Sequence, residues 1–258
     1  MNDRPAFFER DGDSYQPTGM TRSPWSASAI NGAAIGGLLG HLIDEAVAGS
    51  GKHVARFTVD ILGEVPHGRI ESRTRWLREG RRIAMVETEL LAGDRVGARA
   101  TALCVATRDT MPVVEPNPFP RFDTLEPGEF FMPGFFGGVP DVRPVRGKVM
   151  ETGPGTVWLK FNVDLIAGED MPPLARAAII ADFGVGVGNV LPRKDWTFPN
   201  LDIGIHFLRM PVGEWLMMDS ITETAGNGHA LARSMFADEE GIYARGQQIL
   251  FVDKARRD

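Results

Sequence analysis

Residues 26–47 read SASAINGAAIGGLLGHLIDEAV, which predicts a helix that is rich in Ala, Gly and Leu and contains no proline. The glycines at 32, 36, 37 and 40 lower helix propensity. They make sense where another element packs very close to the helix backbone. The sequence therefore predicts a helix in intimate contact with a second element.

Strand-like segments surround this helix. Two short pieces, 6–10 and 14–16, precede it, and four longer ones follow at 53–62, 69–78, 82–91 and 95–107. Turn signals such as Glu79-Gly80 and Gly93-Asp94 separate the longer segments. This order predicts an antiparallel meander next to one helix.

The same order returns in the second half of the chain. Strands are predicted at 146–151 and 156–165, a helix from Leu174 to about Val187, and four strands at 202–209, 214–224, 228–237 and 242–252. Short identical sequences recur about 145 residues apart, including Ala33-Ala34-Ile35 with Ala177-Ala178-Ile179 and Ala98-Arg99 with Ala244-Arg245. The repeat predicts an α+β fold in which each half wraps an antiparallel sheet around a helix.

The segment between the halves differs in composition. Residues 108–145 are rich in Pro, Gly and Phe, and 130–138 read FFMPGFFGG. We expect a linker that crosses between an N-terminal unit, 1–107, and a C-terminal unit, 146–258, with its aromatic side chains packed down.

Composition excludes several classes of protein. The 258 residues carry 28 Lys and Arg against 34 Asp and Glu, a net charge of −6, and no basic run, so no nucleic-acid partner is expected. No apolar stretch reaches the length of a membrane span, and the start MNDRP is too polar for a signal peptide. The single Cys104 lies in an apolar run and reads as core. We expect a cytoplasmic protein.

No cofactor or metal motif is complete. Residues 49–52, GSGK, resemble the end of a phosphate-binding loop but end a helix instead of starting one. The five histidines show no i, i+4 pair and have no cysteine cluster nearby. We therefore expect neither a metal nor a cofactor.

Asp182 is the first candidate site residue. It lies in the apolar segment AAIIADFG, 177–184, where a buried carboxylate must be paired, hydrogen-bonded or neutral. The repeat aligns it with Gly36 to Leu38, so the acid occurs in one half only. This asymmetry predicts a one-sided site, and a surface or capping Asp near a helix end is the alternative.

Two residues on later strands are candidates to converge on Asp182. Thr222 lies in DSITET, 219–224, and Gln248 lies on an apolar strand where the repeat aligns it with Ala102. An amide both donates and accepts hydrogen bonds, although a satisfied core or edge amide is the alternative for Gln248. His206 reads as a packed strand residue.

These residues resemble the thioesterase-like superfamily related to acyl-CoA thioesterase II. The motifs span nearly the whole chain in order: SPW at 23–25, NG at 31–32, ADFG at 181–184, NLDIGIHF at 200–207, R-x-P-x-GEW at 209–215 and ARG-x-Q at 244–248. The resemblance implies a double hotdog fold, which is two tandem units each with a sheet around a central helix. It also implies hydrolysis of an acyl-CoA thioester to CoA and a free acid, in fatty acid metabolism.

The resemblance further implies a water molecule held by an acid, a hydroxyl and an amide. By position these are Asp182, Thr222 and Gln248, with Thr224 and Gln247 as rivals. We expect an acyl-CoA substrate and, because exposed sheet edges are commonly covered by self-association, a homodimer. A non-catalytic acyl-CoA or lipid binder is the alternative function.

The helix start and the substrate's charge raise two further expectations. Asn31-Gly32 stands where many relatives carry His-Gly-Gly, so the acyl pocket near this helix is expected to differ. Acyl-thioester dehydratases and hydratases of this fold usually present a His in the loop at the helix start, and Asn31 argues against that reaction. The backbone N–H groups of Asn31-Gly32, or those after Pro173, are candidates for an oxyanion hole. For the phosphates of CoA, two basic groups are candidates, although each also reads as a solvated face: the strand with arginines 73, 75, 78, 81 and 82, and the pair Arg193-Lys194.

Overall fold

The computed structural model describes residues 4–26, 28–129, 140–147, 149 and 151–255, and these form a 13-stranded sheet with a separate two-stranded sheet. The strands are β1 (Ala6–Asp11), β2 (Ser14–Pro17), β3 (Lys52–Ile61), β4 (Ile70–Arg78), β5 (Ile83–Ala92), β6 (Arg95–Ala106), β7 (Pro140–Arg146), β8 (Gly155–Phe161), β9 (Asp164–Ile166), β10 (Trp196–Thr197), β11 (Asp202–Phe207), β12 (Leu216–Glu223), β13 (His229–Asp238), β14 (Gly241–Phe251) and β15 (Asp253–Lys254). The helices are α1 (Gly32–Val47), α2 (Pro173–Ala181) and α3 (Gly184–Val187).

The large sheet has the same order of strands on both sides of its middle. Its order is β7-β8-β12-β13-β14-β11-β3-β6-β5-β4-β2-β1-β9, so the β3–β11 pair separates two equivalent runs, and β9 extends one edge beside β1. The β3–β11 pair is antiparallel, with Thr58 opposite Gly204 at its centre. Strands β4, β5 and β6 begin 146 residues before β12, β13 and β14, which is the spacing of the sequence repeat.

Helices α1 and α2 pack directly against each other, which explains the glycines of α1. A Cβ atom on Gly40 would lie 3.0 Å from the Cα of Ala175, and one on Gly37 would lie 2.8 Å from Cγ1 of Ile179. Larger side chains at these positions would force the helices apart, and the lost contacts would destabilise the core. The close contact predicted from the sequence is therefore the contact between the two helices.

Both predicted helices needed correction. Helix α1 begins at Gly32 and not at Ser26, because Asn31 caps it: the Asn31 side chain accepts the Ala34 N–H at 2.8 Å. The second helix is not continuous to Val187 but ends at Ala181, and the short α3 follows from Gly184. The break places Asp182 at the end of α2.

The segment between the halves also departs from expectation. The strand predicted at 146–151 was wrong, because β7 begins at Pro140, inside the expected linker. Prolines are tolerated there since β7 is an edge strand. Before it, Phe122 packs on Trp158 and stacks on Trp215 with ring centroids 4.7 Å apart in the latter pair. Residues 130–139, which include the whole quoted FFMPGFFGG stretch, lie outside the described residues.

The strand predicted at 156–165 is two strands, β8 and β9, and Cys104 is buried with a free thiol, as its apolar surroundings predicted. In the part of the chain that the structure describes, no helix combines the length and the apolar character needed to cross a bilayer.

Candidate active site

Asp182 lies at the end of α2 and faces the beginning of α1. The Asn200 side-chain amide donates to Asp182 Oδ1 at 2.7 Å and to the Asp182 backbone oxygen at 3.1 Å. The backbone N–H of Ala33 also donates to the Asp182 carboxylate. A Cβ atom on Gly32 would collide with Asp182 Oδ1, so the approach of the carboxylate to α1 requires glycine at this position.

The surroundings of Asp182 raise its basicity. Burial raises the pKa of Asp182 to about 6, although the hydrogen bonds from Asn200 and from the Ala33 N–H favour the charged form and act in the opposite direction. A carboxylate with such a pKa is still ionised at neutral pH and accepts a proton more readily than an ordinary Asp. These are the properties of a general base.

A cavity of about 320 Å³ opens beside Asp182. Its walls are mainly apolar and include Trp25, Ile35, Ile61 and Phe198, while Asn31, Asp182 and Asn200 contribute polar groups. Apolar walls with a few convergent polar groups are typical of a site for a small, largely apolar ligand.

Gln248 is buried on β14, whereas its rival Gln247 is exposed on the opposite face of the strand. The Gln248 side-chain oxygen lies against Gly184, where a Cβ atom would collide with it. Neither polar atom of the Gln248 amide has a hydrogen-bond partner among the described residues. Buried amides are rarely left unpaired, which points to a polar partner such as water or substrate.

Thr222 is buried on β12, and its hydroxyl has no hydrogen-bond partner within the described part of the chain. Thr222 and Gln248 both lie opposite Ala232 on the intervening strand β13, so they share a face about 10 Å apart. Neither Thr222 nor Gln248 lines the cavity. Val185 does line it, and Val185 packs with Ala232. The rival Thr224 is exposed and donates to the backbone oxygen of His229.

Asn200 is a site residue that the sequence reasoning missed, since it was noted only as the first residue of the NLDIGIHF motif. It bridges to Leu250 just before β11, which places it on the same face of the sheet as Gln248. Its Oδ1 atom is buried and makes no hydrogen bond to the described residues. The repeat aligns it with Val54, and this change from apolar to polar was the available signal. His206, expected to be packed, is exposed.

The beginning of α1 completes the site. Asn31 and Gly32 both line the cavity, and the N-terminus of a helix carries a partial positive charge. Gly32 is the first helical residue, so no earlier turn of the helix supplies an acceptor for its N–H. Pro173, the other candidate, is not among the described residues that line this cavity. Across the described residues no group of three or more His, Cys, Asp or Glu has the arrangement of a metal site.

Comparisons with known proteins found two family models that match the chain. A family model for the acyl-CoA thioesterase C-terminal domain matches residues 111–252, and a model for the acyl-CoA thioesterase N-terminal domain matches residues 21–105. No curated protein matches the chain.

Solved structures show the fold. An acyl-CoA thioesterase II from Mycobacterium marinum superposes with a TM-score of 0.70 at 17% identity, covering 96% of this chain and 96% of that chain. A protein with a hot dog fold from Alicyclobacillus acidocaldarius superposes with a TM-score of 0.73 at 15% identity, with 96% of each chain covered. The hotdog part of the fold prediction is therefore confirmed.

Proposed function

The chain belongs to the acyl-CoA thioesterase family and is a thioester hydrolase, and from this premise we propose that it hydrolyses an acyl-CoA thioester to CoA and a free carboxylic acid. The observation that carries the proposal is the position of Asp182. Its carboxylate, with a pKa raised to about 6, lies in an apolar cavity between an amide donor and the start of α1. The cavity suits an acyl group and the carboxylate suits the activation of water.

In the proposed reaction, Asp182 removes a proton from a water molecule as the water oxygen attacks the thioester carbonyl carbon. The carbon–sulfur bond then breaks, the acyl group leaves as the acid, and the proton passes to the departing thiolate. General-base assistance of this kind accelerates a reaction by about 10²–10⁴-fold.

Three polar groups orient the water in this proposal. Gln248 and Thr222 are the predicted members, and their unpaired buried polar atoms support a polar partner on that face of the sheet. Asn200 joins them, because it holds the carboxylate through its N–H groups and keeps Oδ1 available. Positioning of this kind lowers the entropic cost of reaching the transition state.

The N–H of Gly32 is the proposed donor to the carbonyl oxygen as that oxygen becomes negative. It lies at the positive end of α1 and lines the same cavity as Asp182. A preorganised backbone donor favours the transition state because its dipole needs no reorientation.

The finer architecture is part of the same proposal. We propose two hotdog units, 1–107 and 146–258, joined by a linker at 108–145, and the equivalent strand runs on both sides of the β3–β11 pair support this double arrangement. A homodimer, a cytoplasmic location and a role in fatty acid metabolism also remain proposals.

The direct test is a panel of acyl-CoA thioesters that differ in chain length, incubated with the purified protein. We expect release of a free thiol, detected with a chromogenic disulfide, in equal amount to the free acid. Asp182→Asn provides the control for contaminating activity. Binding of acyl-CoA without thiol release across the panel would instead indicate a carrier or sensor.

A further inference from the structure

The charged end of CoA requires a site of its own. CoA joins the thiol arm to a nucleotide with several phosphate groups, whereas the cavity beside Asp182 has mainly apolar walls. Since the chain has a net charge of −6, a local cation is needed to attract the phosphates.

The basic strand β4 does not offer free cations at its centre. Arg73 and Arg75 are paired with Glu89 and Glu87, with nitrogen–oxygen distances of 2.5 and 2.7 Å. A phosphate would have to compete with these carboxylates. The structure therefore disfavours Arg73 and Arg75, two members of the first basic group considered from the sequence.

Arg193 differs from them in both position and pairing. Its guanidinium carbon lies 5.3 Å from the ring centroid of Trp25, which lines the cavity and packs edge-on against Phe198. No carboxylate of the described residues lies within ion-pair distance of Arg193, and partial burial lowers its pKa. A partly desolvated cation without a counter-charge gains free energy when an anion binds beside it.

The wall of the cavity also carries negative charge. Glu64 also lines the cavity, and its carboxylate accepts hydrogen bonds from Ser26 and Ser28 at 2.6 and 2.7 Å. These bonds keep it ionised by lowering its pKa. Glu64 would repel a phosphate, but it is hydrogen-bonded to these serines and forms no ion pair with Arg193, so it does not neutralise that cation.

We propose that Arg193, which lies over the ring of Trp25 beside the cavity, binds a phosphate group of CoA; this inference rests on the proposed function. The guanidinium carries a fork of N–H donors that matches two phosphate oxygens. Its contact with the Trp25 ring holds the donor next to the cavity before the substrate arrives.

The test compares two thioesters that share one acyl group, acyl-CoA and acyl-pantetheine, since only the first carries the nucleotide. In Arg193→Gln we expect KM for acyl-CoA to rise about tenfold with kcat changed less than about twofold, as expected from losing one charged hydrogen-bonded contact. Both constants for acyl-pantetheine should be unchanged. Arg73→Gln alters net charge equally and should leave both substrates unaffected.

Two results would overturn the inference: an unchanged KM for acyl-CoA in Arg193→Gln, or an equal loss with both thioesters. If the wild-type protein hydrolyses neither thioester, the proposed function fails, and calorimetric titration with CoA still tests Arg193. We then expect Arg193→Gln to bind CoA about tenfold more weakly than the wild type. Equal affinities, with unchanged melting temperatures, would exclude the site.

Discussion

The two halves of the molecule share their strand order but differ in their helices and in their polar residues. Helix α1 in the first half has 16 residues, whereas α2 in the second half has 9 and ends just before Asp182. With the shift of 146 residues, the second half carries a polar residue at three aligned positions where the first half is apolar: Asn200 with Val54, Thr222 with Trp76, and Gln248 with Ala102. At these three positions the common backbone plan therefore carries polar residues in one half and apolar residues in the other.

The early end of α2 allows an acidic side chain of the second half to reach the candidate site. Because α2 stops at Ala181, the Asp182 carboxylate reaches the start of α1, while the aligned residues Gly36 to Leu38 lie inside a continuous helix. The site consequently needs both halves: one supplies the helix start and the other supplies the acid.

Removing the carboxylate of Asp182, an acid that only the second half carries, should reduce activity the most. Asp182→Asn keeps the shape of the side chain but eliminates the proposed base, so we expect acyl-CoA hydrolysis to fall at least about 10²-fold. Circular dichroism and a melting curve check that the fold is intact. Near-normal turnover by the folded variant would remove Asp182 from the mechanism.

Replacing Gln248 of the second half by the residue that is aligned with it in the first half should have the next largest effect on activity. Gln248→Ala introduces the residue found at the aligned position 102, and we expect kcat to fall by about 10- to 100-fold because the water loses an orienting amide. Gln247→Ala is the matched control, since this side chain is exposed on the other face. Equal losses in both variants would contradict the assignment.

The dependence of kcat/KM on pH should report the ionisation of Asp182, an acid that has no counterpart in the first half. The proposed base must be ionised, and burial raises the pKa of Asp182 to about 6, so kcat/KM should rise with pH up to about that value and then level off. One unit below it, activity should be about tenfold lower. A profile that stays flat down to pH ~4, the usual range of an exposed Asp, would argue against a buried base.

Substitutions of Asn200 and Thr222 should have the smallest effects on activity, and the two effects should differ in size. Asn200→Ala removes the donor to Asp182 and should lower kcat/KM about tenfold and move the acid limb to higher pH, because this N–H holds the pKa of Asp182 down. Thr222→Val should cost only about threefold, because Thr222 lies two strands from Gln248 and its hydroxyl makes no hydrogen bond to Asp182 or to any other described residue. The reverse order would make Thr222 the principal partner of the water.

Much of the fold could be predicted from local sequence signals. The glycines of α1 predicted that another element packs close to this helix, without saying which, and glycine-containing turns between alternating segments placed the eight long strands to within two residues. Strand β7 was missed because its prolines, at 140 and 144, are typical of loops; only its place at the sheet edge makes them compatible with pairing.

The site could be predicted only in part. Asp182 and Gln248 stood out because polar residues in apolar segments are costly unless they have partners. Asn200 did not, since its hydrogen bond to Asp182 joins residues 18 positions apart through the break after α2, and no sequence spacing encodes that contact.

The continuous sheet through β3 and β11 has an evolutionary consequence. In an assembly of two identical subunits with this layout, any substitution would appear at both symmetric places, so an acid introduced for chemistry would also interrupt the partner helix. A covalent connection removes that constraint, because each position can then mutate independently. One module is free to specialise while its neighbour preserves the scaffold on which the specialised surface rests.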